Sequence, residues 1–127
     1  MSGDVSPDIP AGTPIFRAYG EDFFQIGYER IETGILLHQG KITSPWGPEG
    51  LQDLRLEDLE PVISDGPEIL LIGTGRKTAF PDADILAELG NLHIGFECMD
   101  SRAAARTYNV LVGEGRNVSA AMLLPQA

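Results

Sequence analysis

The chain has 127 residues, enough for one domain of common size, and 43% of them are apolar, enough for a hydrophobic core. Nine Lys and Arg against nineteen Asp and Glu leave a net charge of −10, a sign that repels phosphates and anionic lipid headgroups and argues against nucleic-acid or membrane-surface binding. One cysteine, Cys98, excludes an internal disulfide and a multi-cysteine zinc site, and no window approaches the roughly 20 apolar residues of a membrane span.

In chain order, residues 1–14 mix Ser, Gly, Asp and three prolines with little apolar content. Such a stretch cannot bury enough surface to offset chain entropy, so it reads as a flexible arm ahead of a single domain over 15–127. It carries Asp4 and Asp8 and no base before Arg17, unlike a signal or transit peptide, and with the lone cysteine this points to a cytoplasmic location. From Ile15 to Ile42, short runs at Phe23–Tyr28, Glu32–Gln39 and Lys41–Thr43 are punctuated by Gly27, Gly34 and Gly40, the pattern of an antiparallel meander. Pro45, Gly47 and Pro48 then hold Trp46 in a stiff, non-helical loop. A large aromatic there either plugs the end of the meander or anchors a partner, and the plug is expected.

Leu51, Leu54, Leu56, Leu59, Val62 and Ile63 step by three and four with acids between them, a helix with one face on a core that Pro61 divides into two short pieces. Ile69–Gly73 shows no polar alternation, so it is a strand covered on both faces and central in its sheet. Pro81–Asp82 opens a second helix through Leu89, and Leu92–Glu97 is a strand. Asp100 or Ser101 caps a third helix to about Val112, and Asn117–Leu124 is the last strand. A β meander followed by alternating α and β calls for crossover helices and at least one parallel pair, hence a mixed α+β fold. The acids concentrate early: residues 1–68 carry thirteen acids and four bases, residues 69–127 six and five.

The turn Gly73-Thr74-Gly75-Arg76-Lys77 combines two glycines, a hydroxyl and two cations. It reads either as a cradle for phosphate or carboxylate or as a tight turn with solvated cations. It matches neither G-x-x-x-x-G-K-[ST] nor G-x-G-x-x-G, so ATP and NAD are not expected. Arg102 and Arg106 lie one helical turn apart near the positive end of the third helix, a like-charge arrangement that an acidic neighbour or ligand would relieve. If the strands are parallel, the glycine turn and this helix start sit at carboxyl ends of strands, where α/β proteins bind ligands. Gly73, Thr74, Gly75, Arg76, Lys77, Arg102 and Arg106 therefore form a candidate anion site. Cys98 lacks a histidine at a pairing distance in sequence and reads as an inert core thiol. His38 and His93 make no metal motif, and Glu57, Asp58 and Glu60 read as a solvated helix face. Tyr108, Asn109, Glu114 and Arg116 read as support for the last turn, with Tyr108 facing the core. No catalytic residue, metal or cofactor is expected.

The segments SPWGP at 44–48, LLIGTG at 70–75 and MDSRAAARTYNVLVGEGRNVSAAML at 99–123 together resemble a small single-domain family. Its members include the mitochondrial respiratory complex I assembly factor 3, the adipogenesis-associated domain protein and many bacterial and archaeal proteins. The resemblance covers about Ile15 to Pro125, and its final segment is the most specific part. It implies a curved, mixed central sheet with helices packed on it, no established enzymatic activity, and a protein partner. The eukaryotic factor carries an N-terminal targeting extension; without that pattern here, a bacterial cytoplasmic member is expected, as a monomer or weak homo-oligomer. The expected function is thus a non-catalytic interaction domain aiding assembly of a respiratory or membrane-associated complex, the alternative being a small-anion binder or enzyme using the Gly73–Lys77 turn.

Overall fold

In the computed structural model, which describes residues 13–127, the chain runs through β1 (Phe16–Gly20), β2 (Phe23–Ile26), β3 (Glu29–Ile31), β4 (Ile35–His38), β5 (Lys41–Thr43) and two 3₁₀ turns (Leu51–Asp53, Leu56–Leu59). It continues through α1 (Glu60–Ser64), β6 (Ile69–Gly73), α2 (Ala83–Asn91), β7 (Gly95–Met99), α3 (Ser101–Gly113) and β8 (Val118–Met122). The arm expected over 1–14 lies outside the described residues apart from Thr13 and Pro14.

The meander divides between two sheets. β1, β2 and β3 form an antiparallel three-stranded sheet, whereas β4 and β5 join a five-stranded sheet of order β5-β4-β8-β6-β7. The reason is in the side chains: Ile35, Leu36 and Leu37 are consecutive and all buried, so β4 needs a cover on both faces and cannot belong to a ribbon with one wet side. It pairs antiparallel with β8, setting Ile35 opposite Met122 and Leu37 opposite Ala120. β6 is also buried, from Leu70 to Gly73, and runs parallel to both neighbours, β7 and β8.

Two crossovers place the layers. β6-α2-β7 steps outward to the sheet edge and β7-α3-β8 steps back past β6, so right-handed connections in opposite directions put their helices on opposite faces. On one face, α3 and the three-stranded sheet cover Leu37, Leu71, Ala120 and Met122; on the other, α1, α2 and Trp46 cover Leu36, Leu70, Ile72 and Ala121. Phe16 stacks edge-on against Phe24 and Tyr108, with ring centroids 5.4 and 5.5 Å apart. Asn109 clamps β1 to α3 as a strand would: its Oδ1 accepts from the Phe16 N–H (2.9 Å) and its Nδ2 donates to the Phe16 carbonyl (2.7 Å). Tyr108 and Asn109 therefore support the fold, as expected.

The segment expected as one interrupted helix is two 3₁₀ turns followed by α1, with Pro61 in the first turn where its missing N–H does no harm. Asp82 and Asp100 cap α2 and α3 by accepting from the N–H groups of Asp84 and Ala103, both at 3.0 Å. β7 starts later than expected because Leu92, His93 and Ile94 close α2, their N–H groups returning to Glu88, Gly90 and Leu89, with His93 at φ 57°.

Burial pushes the Tyr108 phenol from 10.0 up to about 12. The folded state thus favours the neutral ring; its contribution is present below pH 10 and is lost as pH rises through 12. Urea unfolding followed from pH 9 to 12 is expected to show wild-type stability falling more than that of Tyr108→Phe, the gap widening to about 2 kcal/mol by pH 12.

Candidate functional site

Leaving β6 the chain turns to one face of the sheet, and leaving β7 it turns to the other, so the carboxyl ends of these neighbours bound the crevice where open α/β sheets hold ligands. Here the protein fills that crevice with its own atoms. The Thr74 N–H donates to the Met99 carbonyl (2.8 Å), and Thr74 Oγ1 donates to the Lys77 carbonyl (2.5 Å) while accepting from the Ala79 N–H (3.2 Å). The Gly75 N–H donates to Ser101 Oγ (2.8 Å), the Ser101 N–H returns to the Gly75 carbonyl (2.9 Å), and the Ser101 hydroxyl donates to the Leu123 carbonyl (2.6 Å). The Arg76 N–H donates to the Ala127 oxygen (2.8 Å), and Thr78 Oγ1 accepts from the Asp100 N–H (3.2 Å).

Both glycines are explained by this packing. Gly75 has φ 100°, and a Cβ there would run into Ala127; a Cβ on Gly73 would sit 2.7 Å from Met122 Sδ and 3.0 Å from Ser101 Oγ. The amides of Thr74, Gly75 and Arg76, which a phosphate would use, are engaged by the chain itself, leaving the side chains to meet a ligand.

The Gly75–Ser101 bonds bring the turn against the start of α3, which carries Arg102 half-buried in its first turn. Arg76 and Lys77 are exposed, as is Arg106, whose Nη1 donates to the Tyr19 hydroxyl (2.6 Å). Ion pairs among the described residues join Arg30 to Asp22 and Glu32, Arg55 to Glu57, and Arg116 to Glu68; none involves Arg76, Lys77, Arg102 or Arg106. Glu114 is in none of them, and the Arg116–Glu68 pair (2.7 Å) ties the turn after α3 to the start of β6. Cys98 is half-buried, and burial pushes its thiol up, which disfavours the thiolate and fits the inert reading.

A cavity of about 650 Å³ lies elsewhere, between the β3–β4 loop, the Trp46 loop and the residues after β8; none of the seven candidate anion residues lines it. Trp46 is 9% exposed, its N–H donates to the Gly34 carbonyl (3.0 Å) and its indole Nε1–H to the Asp58 carbonyl (2.8 Å); it is buried, but in the core on the α1 and α2 face of the large sheet and not with β1–β3. Gly34 is required opposite it, since a Cβ would press on the Trp46 carbonyl oxygen.

Two buried serines escaped sequence reasoning as functional groups. Ser101 was visible only as a cap, and Ser119, fully buried on β8, meets His38 Nδ1 on β4 at 2.7 Å. The available signal was a lone hydroxyl inside an apolar run, V-S-A-A-M. Among the described residues every buried side-chain nitrogen and oxygen has a partner.

These features define a small α+β domain whose polar groups at the sheet's ligand crevice are spent on holding the fold. The chain belongs to the family described as protein of unknown function (DUF498/DUF598), whose model matches residues 16–123. It is 36% identical over 87 residues, 68% of this chain and 66% of the relative, to a Francisella tularensis protein named 13 kDa major membrane protein. It is 30% identical over 105 residues to the Xenopus tropicalis NADH dehydrogenase [ubiquinone] 1 alpha subcomplex assembly factor 3, covering 73% of this chain and 57% of that one. The solution structure of Xanthomonas campestris XCC1710 superimposes with a TM-score of 0.78 at 31% identity, over 97% of this chain and 91% of the other. The expected family and fold are those found.

Ser101→Ala is expected to lower stability by about 2 kcal/mol, because it strands the Gly75 N–H and the Leu123 carbonyl in the interior. Arg76→Ala should stay within about 0.5 kcal/mol of wild type, as for a surface change. Denaturant unfolding of both variants checks the contrast.

Proposed function

We propose that this protein is a non-catalytic interaction domain that helps assemble a respiratory, membrane-associated complex by binding a protein partner. The observation that carries the proposal is the similarity to a protein named as an assembly factor, which extends over 73% of this chain. A rigid fold with its buried polar groups satisfied suits a docking role, since a preorganised surface loses little entropy on binding. Among the described residues no helix is long and apolar enough to cross a membrane. In this reading the protein meets the membrane complex through that partner, from the bacterial cytoplasm. A relative named as a membrane protein accords with such an association.

A second reading is phosphate or carboxylate held by the side chains of Arg76, Lys77, Arg102 and Arg106 beside Gly73, Thr74 and Gly75; what favours it is that the turn packs against the start of α3, where Arg102 lies. With the backbone donors engaged, such binding would depend on side-chain charge and weaken with salt.

The assembly role is tested by deleting the gene in the native organism and following NADH:ubiquinone oxidoreductase on native gels. The assembled complex is expected to fall several-fold and to return on complementation with the wild-type gene; an unchanged level would overturn the proposal. For the second reading, inorganic phosphate at about 100-fold over its Kd should raise stability by about 2.7 kcal/mol. That gain should vanish in Arg76→Glu/Lys77→Glu, and no shift in the wild type would eliminate the anion site.

A further inference from the structure

We infer that the cavity beside Trp46 binds an organic cation, an ammonium or guanidinium on an apolar stem. At about 650 Å³ it falls in the size range of small-molecule sites. Pro45, Trp46, Pro48 and Leu124 are among the apolar residues that line it, and its polar lining residues include Glu32, Glu49 and Gln126. Thr33, also in the lining, donates its hydroxyl hydrogen to the Gly34 carbonyl (2.9 Å), so it offers a ligand only lone pairs. Among the described residues no Lys, Arg or His lines the cavity.

Two acidic residues and, among the described residues, no base in the lining favour a positive guest. Glu49 is in no ion pair among the described residues, while Glu32 shares Arg30 at 3.1 Å on an exposed side chain, a pairing that water screens. The wider field has the same sign, because residues 1–68 carry most of the excess acid. The walls are already fixed. Trp46 is held at both its amide and its indole, the Gln126 N–H donates to the Glu21 carbonyl (2.9 Å), and the Ala127 N–H to the Leu124 carbonyl (3.0 Å). A guest would therefore meet a preformed site.

The same chemistry has two sources, a free small amine and the Lys or Arg side chain of a partner polypeptide. Calorimetric titration of the full chain with agmatine and with acetyl-Leu-Arg-Leu-amide separates them, using 1-butanol and acetyl-Leu-citrulline-Leu-amide as neutral counterparts. At least one cation is expected to bind with a Kd of about 1 mM or tighter and at least tenfold better than its neutral counterpart. Glu32→Gln/Glu49→Gln should lose at least tenfold in affinity, and Glu49→Gln alone a smaller part. Arg76→Glu/Lys77→Glu should lose no affinity for the cation, since it only adds negative charge, which separates this site from the glycine turn. Agmatine binding as tightly as the peptide assigns a free cation; a tenfold advantage for the peptide assigns a partner's side chain. No binding at about 10 mM, equal binding of cation and neutral counterpart, or undiminished binding by a folded double variant would each overturn the inference. The inference stands apart from the assembly role, whose test reads the amount of a complex.

Discussion

Leu70, Leu71 and Ile72 point alternately to opposite faces of β6, and none is more than 1% exposed. Because neighbouring side chains of a strand diverge, one such run needs two separate cores, and no two-layer arrangement supplies them. Burying each of these side chains is worth about 2 kcal/mol, so the run as a whole matches the net stability of a typical small domain. The three-stranded sheet with α3 on one side, and α1 with α2 and Trp46 on the other, answer that demand.

Covering both faces of a parallel core strand requires crossovers that leave in opposite directions, and this opens a crevice at the strand ends. Many α/β proteins put a ligand there. In this chain Thr74 and Ser101 occupy it, each bonding several segments at once, and the strand after α3 is tied in through Leu123. The glycines of the turn are needed so that Ser101, Met122 and Ala127 can approach. An anion cradle and a structural joint draw on the same donors, and a donor aimed at a Ser101 or Ala127 oxygen is not also aimed at phosphate.

Much of the layout was legible because the strongest signals are local. I-L-L-I-G announces a central strand, Asp82 and Asp100 announce helix starts, and Trp46 between prolines announces a buried aromatic. The split of the meander was less visible, although I-L-L at 35–37 carries the same absence of alternation as β6; its three residues are too short a run to stand out among glycines. β1 was missed because Phe16 is its only buried side chain; besides its pairing with β2, its start is held by Asn109, 93 residues away. The cavity was illegible for a similar reason: Glu32, Glu49 and Gln126 come from three segments far apart in sequence, and only the closed fold sets them around one space. What the glycine turn did reveal was its backbone requirement, and the partner that imposes it, Ser101, shows no motif of its own.

The segment following β8 ties these regions together. The Leu123 N–H donates to the Gly73 carbonyl, and the Ala127 oxygen receives the Arg76 N–H, so this stretch braces the cationic turn; Leu124, Gln126 and Ala127 meanwhile form one wall of the acidic cavity. Its Gln126 N–H also reaches the Glu21 carbonyl in the β1–β2 turn. A few residues thus bear on both sheets, the turn and the cavity, and their contacts with Gly73, Arg76 and Glu21 are hydrogen bonds with a fixed direction. Displacing that wall would loosen the Arg76 amide and the Glu21 carbonyl together, which is why the cavity has a defined shape despite being assembled mostly from loops.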